Sequence, residues 1–216
     1  QNVRVSGDVT VRAFHRECLD LNCGDDNLGS QAAGFTVRER EDDFLMHTVG
    51  INVAADLTEN VSAFVRLANE RDWDSTIGAN AAAQDVDLSQ SYITLKELFY
   101  SPLTLRVGTQ PIRWGRGFVL GSNLLPSILG RPDDAGAVIT ANEFTDFTAF
   151  DALRATLDLS GVTGNLPLTM DAVYIKLDEN NTRLADDVNL MGVNLGTRFD
   201  SMNGEMEAYY LNKRDK

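Results

Sequence analysis

Apolar and polar residues alternate with a period of two along most of this chain. Between Ser89 and Glu97, the residues Ser91, Ile93 and Leu95 interleave with Gln90, Tyr92, Thr94 and Lys96. After a break at Leu98-Phe99-Tyr100-Ser101-Pro102, Leu103, Leu105, Val107 and Thr109 interleave with Thr104, Arg106, Gly108 and Gln110. A helix would repeat every 3.6 residues, so this pattern predicts strands with one apolar and one polar face. Similar segments predict strands near Val3 to Phe14, Phe44 to Ala55, Val61 to Asp72, Leu88 to Glu97, Leu103 to Ile112, Ala149 to Leu159, Leu166 to Leu177, Val188 to Phe199 and Glu205 to Asn212. About nine strands, with boundaries uncertain by a few residues, and no helical stretch of comparable length predict a single all-β domain over 1–216.

The connections between these segments alternate in length. Short ones (Asp56 to Asn60, Leu98 to Pro102, Gly161 to Asn165, Asp200 to Gly204) follow long ones (Arg16 to Asp43, Trp73 to Asp87, Arg113 to Thr148, Glu179 to Asp187). A soluble sandwich has no reason to sort its loops by end, whereas an antiparallel transmembrane β-barrel of the bacterial outer membrane has tight periplasmic turns and extended outer loops. On that reading the amino terminus is periplasmic, as in a chain whose export signal has been cleaved. Trp73 falls at the outer end of its strand, and Phe99, Tyr100 and Phe199 fall at inner ends, where interfacial aromatic girdles belong.

Taking the apolar set as the lipid face puts Val61, Ala63, Val65 and Leu67 outward, and Ser62, Phe64, Arg66, Ala68 and Glu70 inward. The same choice sends Arg106 and Gln110, Arg154 and Asp158, and Asn194 and Arg198 inward, with Gln90, Tyr92 and Lys96. The inverse choice would place arginines in lipid at roughly 2–4 kcal/mol each near the midplane. Val173, Ile175, Phe44 and Met46 break the pattern as apolar residues on the inner face, which predicts contact with a folded-in loop or a neighbouring subunit. The inner face therefore sets Arg66, Lys96, Arg106, Arg154 and Arg198 against Glu70, Asp158, Asp171, Glu205 and Glu207. Two readings stand: the charges pair across strands to fill the interior, or the arginines form a ladder of planar donors for a passing carboxylate or phosphate.

The longest connection opens with Arg113-Trp114-Gly115-Arg116-Gly117 and continues with Phe118, Val119, Leu120, Leu124, Leu125, Ile128 and Leu129. That is too apolar for a solvated loop. Either it folds into the lumen as a constriction carrying Arg113, Trp114 and Arg116, or it packs over the barrel rim.

Composition narrows the function classes. No apolar run among the 216 residues approaches the length of a membrane helix, although 43% are hydrophobic. A net charge of −13 argues against nucleic-acid binding, which needs clustered positive charge. Cys18 and Cys23 lie close together in a polar loop with no nearby histidine, which favours a small disulfide over a zinc site. His15 and His47 are far apart in sequence, and no nucleophile–His–acid or metal-ligand arrangement appears, so no enzyme is expected. Acidic loop segments at Asp25-Asp26-Asn27, Asp178-Glu179-Asn180-Asn181 and Asp186-Asp187 offer oxygen ligands for Ca²⁺ without the spacing of a calcium loop; no other cofactor is expected. The expected partners are outer-membrane lipid and lipopolysaccharide, an anionic solute, and a second copy or a surface-complex protein.

The stretches DDFLMHTVGINVAADLTENVSAFVRLANERDW, VDLSQSYITLKELFYSPLTLRVGTQPIRWGRGFVLGSN and FDALRATLDL, in that order, resemble the alginate-export family of bacterial outer-membrane porins. The resemblance implies a large monomeric barrel with an Arg-lined passage for an anionic polysaccharide, to which Arg66, Arg106 and Arg154 correspond. Two features depart from it: members of that family are considerably longer, and this sequence finishes on Tyr209-Tyr210-Leu211-Asn212-Lys213-Arg214-Asp215-Lys216 instead of a terminal aromatic strand. An odd strand number does not close an ordinary bacterial barrel, so the expectation is the amino-terminal part of a larger one. The alternative is a complete small barrel of eight strands acting as an anchor, adhesin or scaffold.

Overall fold

Side chains that alternate in polarity favour a sheet with two unlike faces, because every second residue on a strand points the same way. In the computed structural model, whose described residues are 2–17, 41–73, 86–97, 102–115, 117, 119–121, 149–164, 167–178, 188–199 and 203–215, the chain forms such a sheet. Its strands are β1 (Asn2–Glu17), β2 (Glu41–Asp56), β3 (Val61–Asp72), β4 (Asp87–Lys96), β5 (Leu103–Gln110), β6 (Phe150–Asp158), β7 (Leu168–Asp178), β8 (Val188–Phe199) and β9 (Gly204–Asp215). All nine join one antiparallel sheet in sequence order, with β1 and β9 at its edges and no pairing between them.

Because consecutive strands are neighbours, the long connections β1–β2, β3–β4 and β5–β6 leave from one end of the sheet together with β7–β8, and the short ones β2–β3, β4–β5 and β8–β9 from the other, where β6–β7 (159–167) is as long as β7–β8 (179–187). The short end is tightly turned: the Leu57 and Thr58 amides donate to the Val61 carbonyl at 2.9 and 3.1 Å. The connection between β6 and β7 contains one helical turn, α1 (Ser160–Thr163), not expected from the sequence. Its entry is fixed by the Ser160 amide donating to Asp158 Oδ1, and Thr163 Oγ1 donates back to the Leu159 carbonyl. Strand β5 stops at Gln110, two residues earlier than the alternation suggests. Pro111 follows, with no N–H to donate to a ladder.

The register lines up like with like. On one face Ala63, Ile93, Val107, Leu153, Tyr174 and Met191 are successive cross-strand partners. On the other, Thr94, Arg106, Arg154, Val173, Gly192 and Leu211 form the equivalent row. The apolar face is open from edge to edge: Val5, Val9, Ile51, Leu67, Ile93, Val107, Leu153, Val193, Leu195 and Tyr210 are all exposed. The buried cluster lies on the opposite face, where Ile112, Trp114 and Leu120 pack on Phe150, Ala152, Val173 and Ile175.

That cluster accounts for the apolar residues on the polar face of β7. Val173 and Ile175 are buried because the segment after β5 folds back over them. Met46, also fully buried, lies between Arg12 and Asp72 in register; the Phe44 side chain lies outside the described residues.

Candidate functional site

The polar face divides into three neighbourhoods. In the first, Arg66 on β3 reaches over β2 to Asp8 on β1, with Nη1 and Nη2 donating to the two carboxylate oxygens at 2.7 and 2.8 Å. Asn52 Oδ1 accepts from the same Nη1 at 2.9 Å. The guanidinium can lie flat here because Gly50 is beneath it, and a Cβ on Gly50 would sit 2.5 Å from Nη2. One layer towards the long-loop end, Glu70 accepts from Thr48 Oγ1 at 2.8 Å, and Arg12 Nη2 stands 3.5 Å from its carboxylate.

The second neighbourhood is aromatic and cationic. Phe64 and Tyr92, facing each other across β3 and β4, stack with ring centroids 5.1 Å apart. The Arg106 guanidinium carbon lies 4.6 Å from the centre of the Tyr92 ring, and its Nε donates to Thr94 Oγ1 at 3.3 Å. Among the described residues Arg106 makes no ion pair, although Arg154 is directly opposite it in register. Like charges directly opposite destabilise a sheet, and the ring face offsets part of that by a cation–π contact of about 0.5–2 kcal/mol.

Arg154 is neutralised instead by the third neighbourhood. Its Nε lies 2.9 Å from both Asp171 oxygens and its Nη2 2.8 Å from Oδ2. Thr156 Oγ1 and Trp114 Nε1 also donate to this carboxylate, each at 2.8 Å. Asp171 is 5% exposed, so four donors replace the water it has lost. The Trp114 ring rests over Gly192, where a Cβ would come within 2.8 Å of it, and lies 6.1 Å from the Tyr209 ring.

Every described residue expected on the inner face sits at a polar-face position, but their situations differ. Arg66 and Glu70 are tied into the first neighbourhood, Tyr92 and Arg106 form the second, and Arg154 belongs to the third. Gln90 is opposite Arg66. Lys96 and Arg198 are exposed towards the short-turn end. Asp158 is exposed there as well, and its carboxylate is used on α1. Gln110 is fully buried; its Nε2 donates to the carbonyls of Arg106, Gly108 and Ala152, so it serves the strand junction and presents nothing to a passage. In the folded-back segment Arg113 is exposed and Trp114 buried, and Arg116 lies outside the described residues.

No protein-family model matches the chain, and no curated protein matches its sequence. Asp8, Asn52 and Thr48 were missed as members of it, although each occupies the same alternation phase as Arg66 once the β1–β2–β3 register is known. Among the described residues no group of His, Cys, Asp or Glu could hold a metal ion. Cys18, Cys23 and the acidic segments beginning at Asp25 and Asp186 lie outside the described residues, as does the segment at Asp178 beyond that residue's backbone.

Trp73, expected at an interfacial girdle, stands at the long-loop end of the apolar face. It is exposed, and its Nε1 donates to His47 Nδ1 at 2.8 Å. Phe199 closes β8 at the other end, while Phe99 and Tyr100 lie outside the described residues.

Proposed function

We propose that this chain forms part of the wall of a bacterial outer-membrane β-barrel that passes small solutes, anions preferentially, with the long loops outside and the short turns in the periplasm. The apolar face supports the membrane reading. A soluble domain seldom exposes an apolar patch beyond a few hundred Å², and here exposed Val, Ile, Leu and Tyr run from β1 to β9. From Val3 to Val11 the apolar positions of β1 cover about 27 Å of strand at roughly 3.4 Å per residue, enough at a ~40° tilt for most of the ~25 Å apolar band of such barrels.

The observation that carries the transport reading is Arg106. Of the three arginines matching the alginate-export pattern, Arg66 and Arg154 are committed to Asp8 and Asp171, while Arg106 has no carboxylate partner among the described residues. Its positive charge favours an anion at mid-height of the polar face. An anionic polysaccharide, as the resemblance implies, is one solute of that chemistry. The test is the reversal potential in a planar bilayer under a salt gradient, with the full protein and Arg106→Glu; a cation-selective pore indifferent to the substitution would reject it.

The ion pairs Arg66–Asp8, Arg12–Glu70 and Arg154–Asp171 favour a second reading, a non-conducting barrel that serves as an anchor or scaffold and whose interior charges only fill space. It requires the absence of any conductance from correctly folded protein.

A further inference from the structure

We infer that the described residues 112–115, 117 and 119–121 are a pinned part of the inner wall, with Trp114 as its clasp, and that Arg154 is a positioning residue for this clasp. Its effect on flux rests on the channel reading above; the clasp itself does not.

The segment is ordered from within. The Trp114 amide donates to the Leu120 carbonyl at 2.8 Å and the Gly117 amide to the Trp114 carbonyl at 2.9 Å, closing a tight turn. Gly115 and Gly117 have φ of 54° and 79°, a backbone region that side chains rarely adopt. This turn presses three apolar side chains, Ile112, Trp114 and Leu120, onto β6 and β7, and all three are nearly excluded from water.

The polar lock is specific. Asp171 takes the indole N–H in addition to Arg154 and Thr156, so lifting the turn would leave this buried carboxylate one donor short while uncovering the cluster. The sheet has a matching seat: Gly192 leaves the space into which the indole fits, and a methyl there would collide with both Trp114 and the Leu211 side chain. Arg154 bonds to Asp171, and so holds the carboxylate at the angle from which Trp114 is reached. A loop that opened and closed freely would not be expected to bury its own indole against a charged pair. The polar face of β6 to β8 is thus permanently lined by the turn, and solute passes beside it, over β1 to β5.

The sequence has two tryptophans, so Trp73→Phe makes Trp114 the sole indole. In the full protein, folded in lipid, Trp114 should then emit at short wavelength and resist iodide quenching. Arg154→Met/Asp171→Leu removes the acceptor without stranding a charge, and Gly192→Ala fills the seat. Each should shift the emission to the red, raise quenching several-fold and open cleavage by trypsin after Arg113, while heat-modifiable migration in gels persists. Asp171→Asn, which keeps an acceptor oxygen, should fall between. A red, readily quenched Trp114 in the starting protein, or unchanged emission in both folded variants, overturns the clasp. Single-channel conductance should rise in the double variant; an unchanged conductance with a displaced Trp114 overturns the turn's place beside the solute. A protein that never conducts, yet whose Trp114 responds as described, retains the clasp and loses the channel.

Discussion

Arg66 and Asp8 are joined two strands apart, with β2 running between them and Gly50 supplying the clearance for the guanidinium. Two parallel bonds at 2.7 and 2.8 Å give the pair a bidentate geometry that fixes β1 against β3 in one register. A one-residue slip of β1 would turn Asp8 to the apolar face.

The stability carried by this pair should be modest. Asp8 is about half exposed, so solvent screens the attraction, and a double-mutant cycle of Asp8→Ala with Arg66→Ala should return a coupling of about 1 kcal/mol or less. Urea unfolding in lipid vesicles measures it. The coupling should shrink as salt is raised, and a value that ignores salt would mean that packing over Gly50, not charge, is what Arg66 contributes.

Asp171 and Arg154 should behave differently, because Asp171 is almost wholly buried. Asp171→Ala alone leaves a guanidinium without its partner and should cost roughly 3–5 kcal/mol, whereas Arg154→Met/Asp171→Leu should cost clearly less. The same unfolding assay compares them. Equal losses would show that the carboxylate acts through its geometry alone.

The two faces can be tested by depth. Val193→Arg, at the middle of the apolar side of β8, should destabilise the lipid-embedded protein by roughly 2–4 kcal/mol, while Thr109→Arg, at the long-loop rim beside Asp151, should cost about 0–1 kcal/mol. Refolding into vesicles gives both values. If the two substitutions cost the same, the apolar face does not meet a bilayer.

Charge reversal on the polar face should separate transport from architecture. Arg106→Glu should move the reversal potential towards cation selectivity with little loss of fold, since no carboxylate depends on Arg106 among the described residues. Arg66→Glu should lower stability first, because it sets a second carboxylate beside Asp8. A larger selectivity change from Arg66 than from Arg106 would place the solute path along β1 to β3 instead.

Alternation in the sequence determined the strands, their order of polarity and the two faces. Val61–Asp72 and Val188–Phe199 were legible to the residue, because a period-two pattern bounded by turn residues leaves no other regular structure for them. The sequence also put Arg66, Arg106, Arg154 and Arg198 in the polar phase of their strands, and the register keeps that phase on one face, since reversing the phase of one strand reverses all its side chains at once. It did not determine which arginine has a counter-ion. That depends on register between strands: Asp8 and Arg66 are separated by 58 positions, and Trp114 and Asp171 by 57. Only the assembled sheet brings Arg66 over Gly50 to Asp8, leaves Arg106 on a tyrosine ring, and seats Trp114 above Gly192. The apolar residues Val173 and Ile175 signalled that something covers them, but which segment does so was decided by shape. A turn with glycines at 115 and 117 meets a wall with a glycine at 192, and close packing of this kind has no one-dimensional pattern.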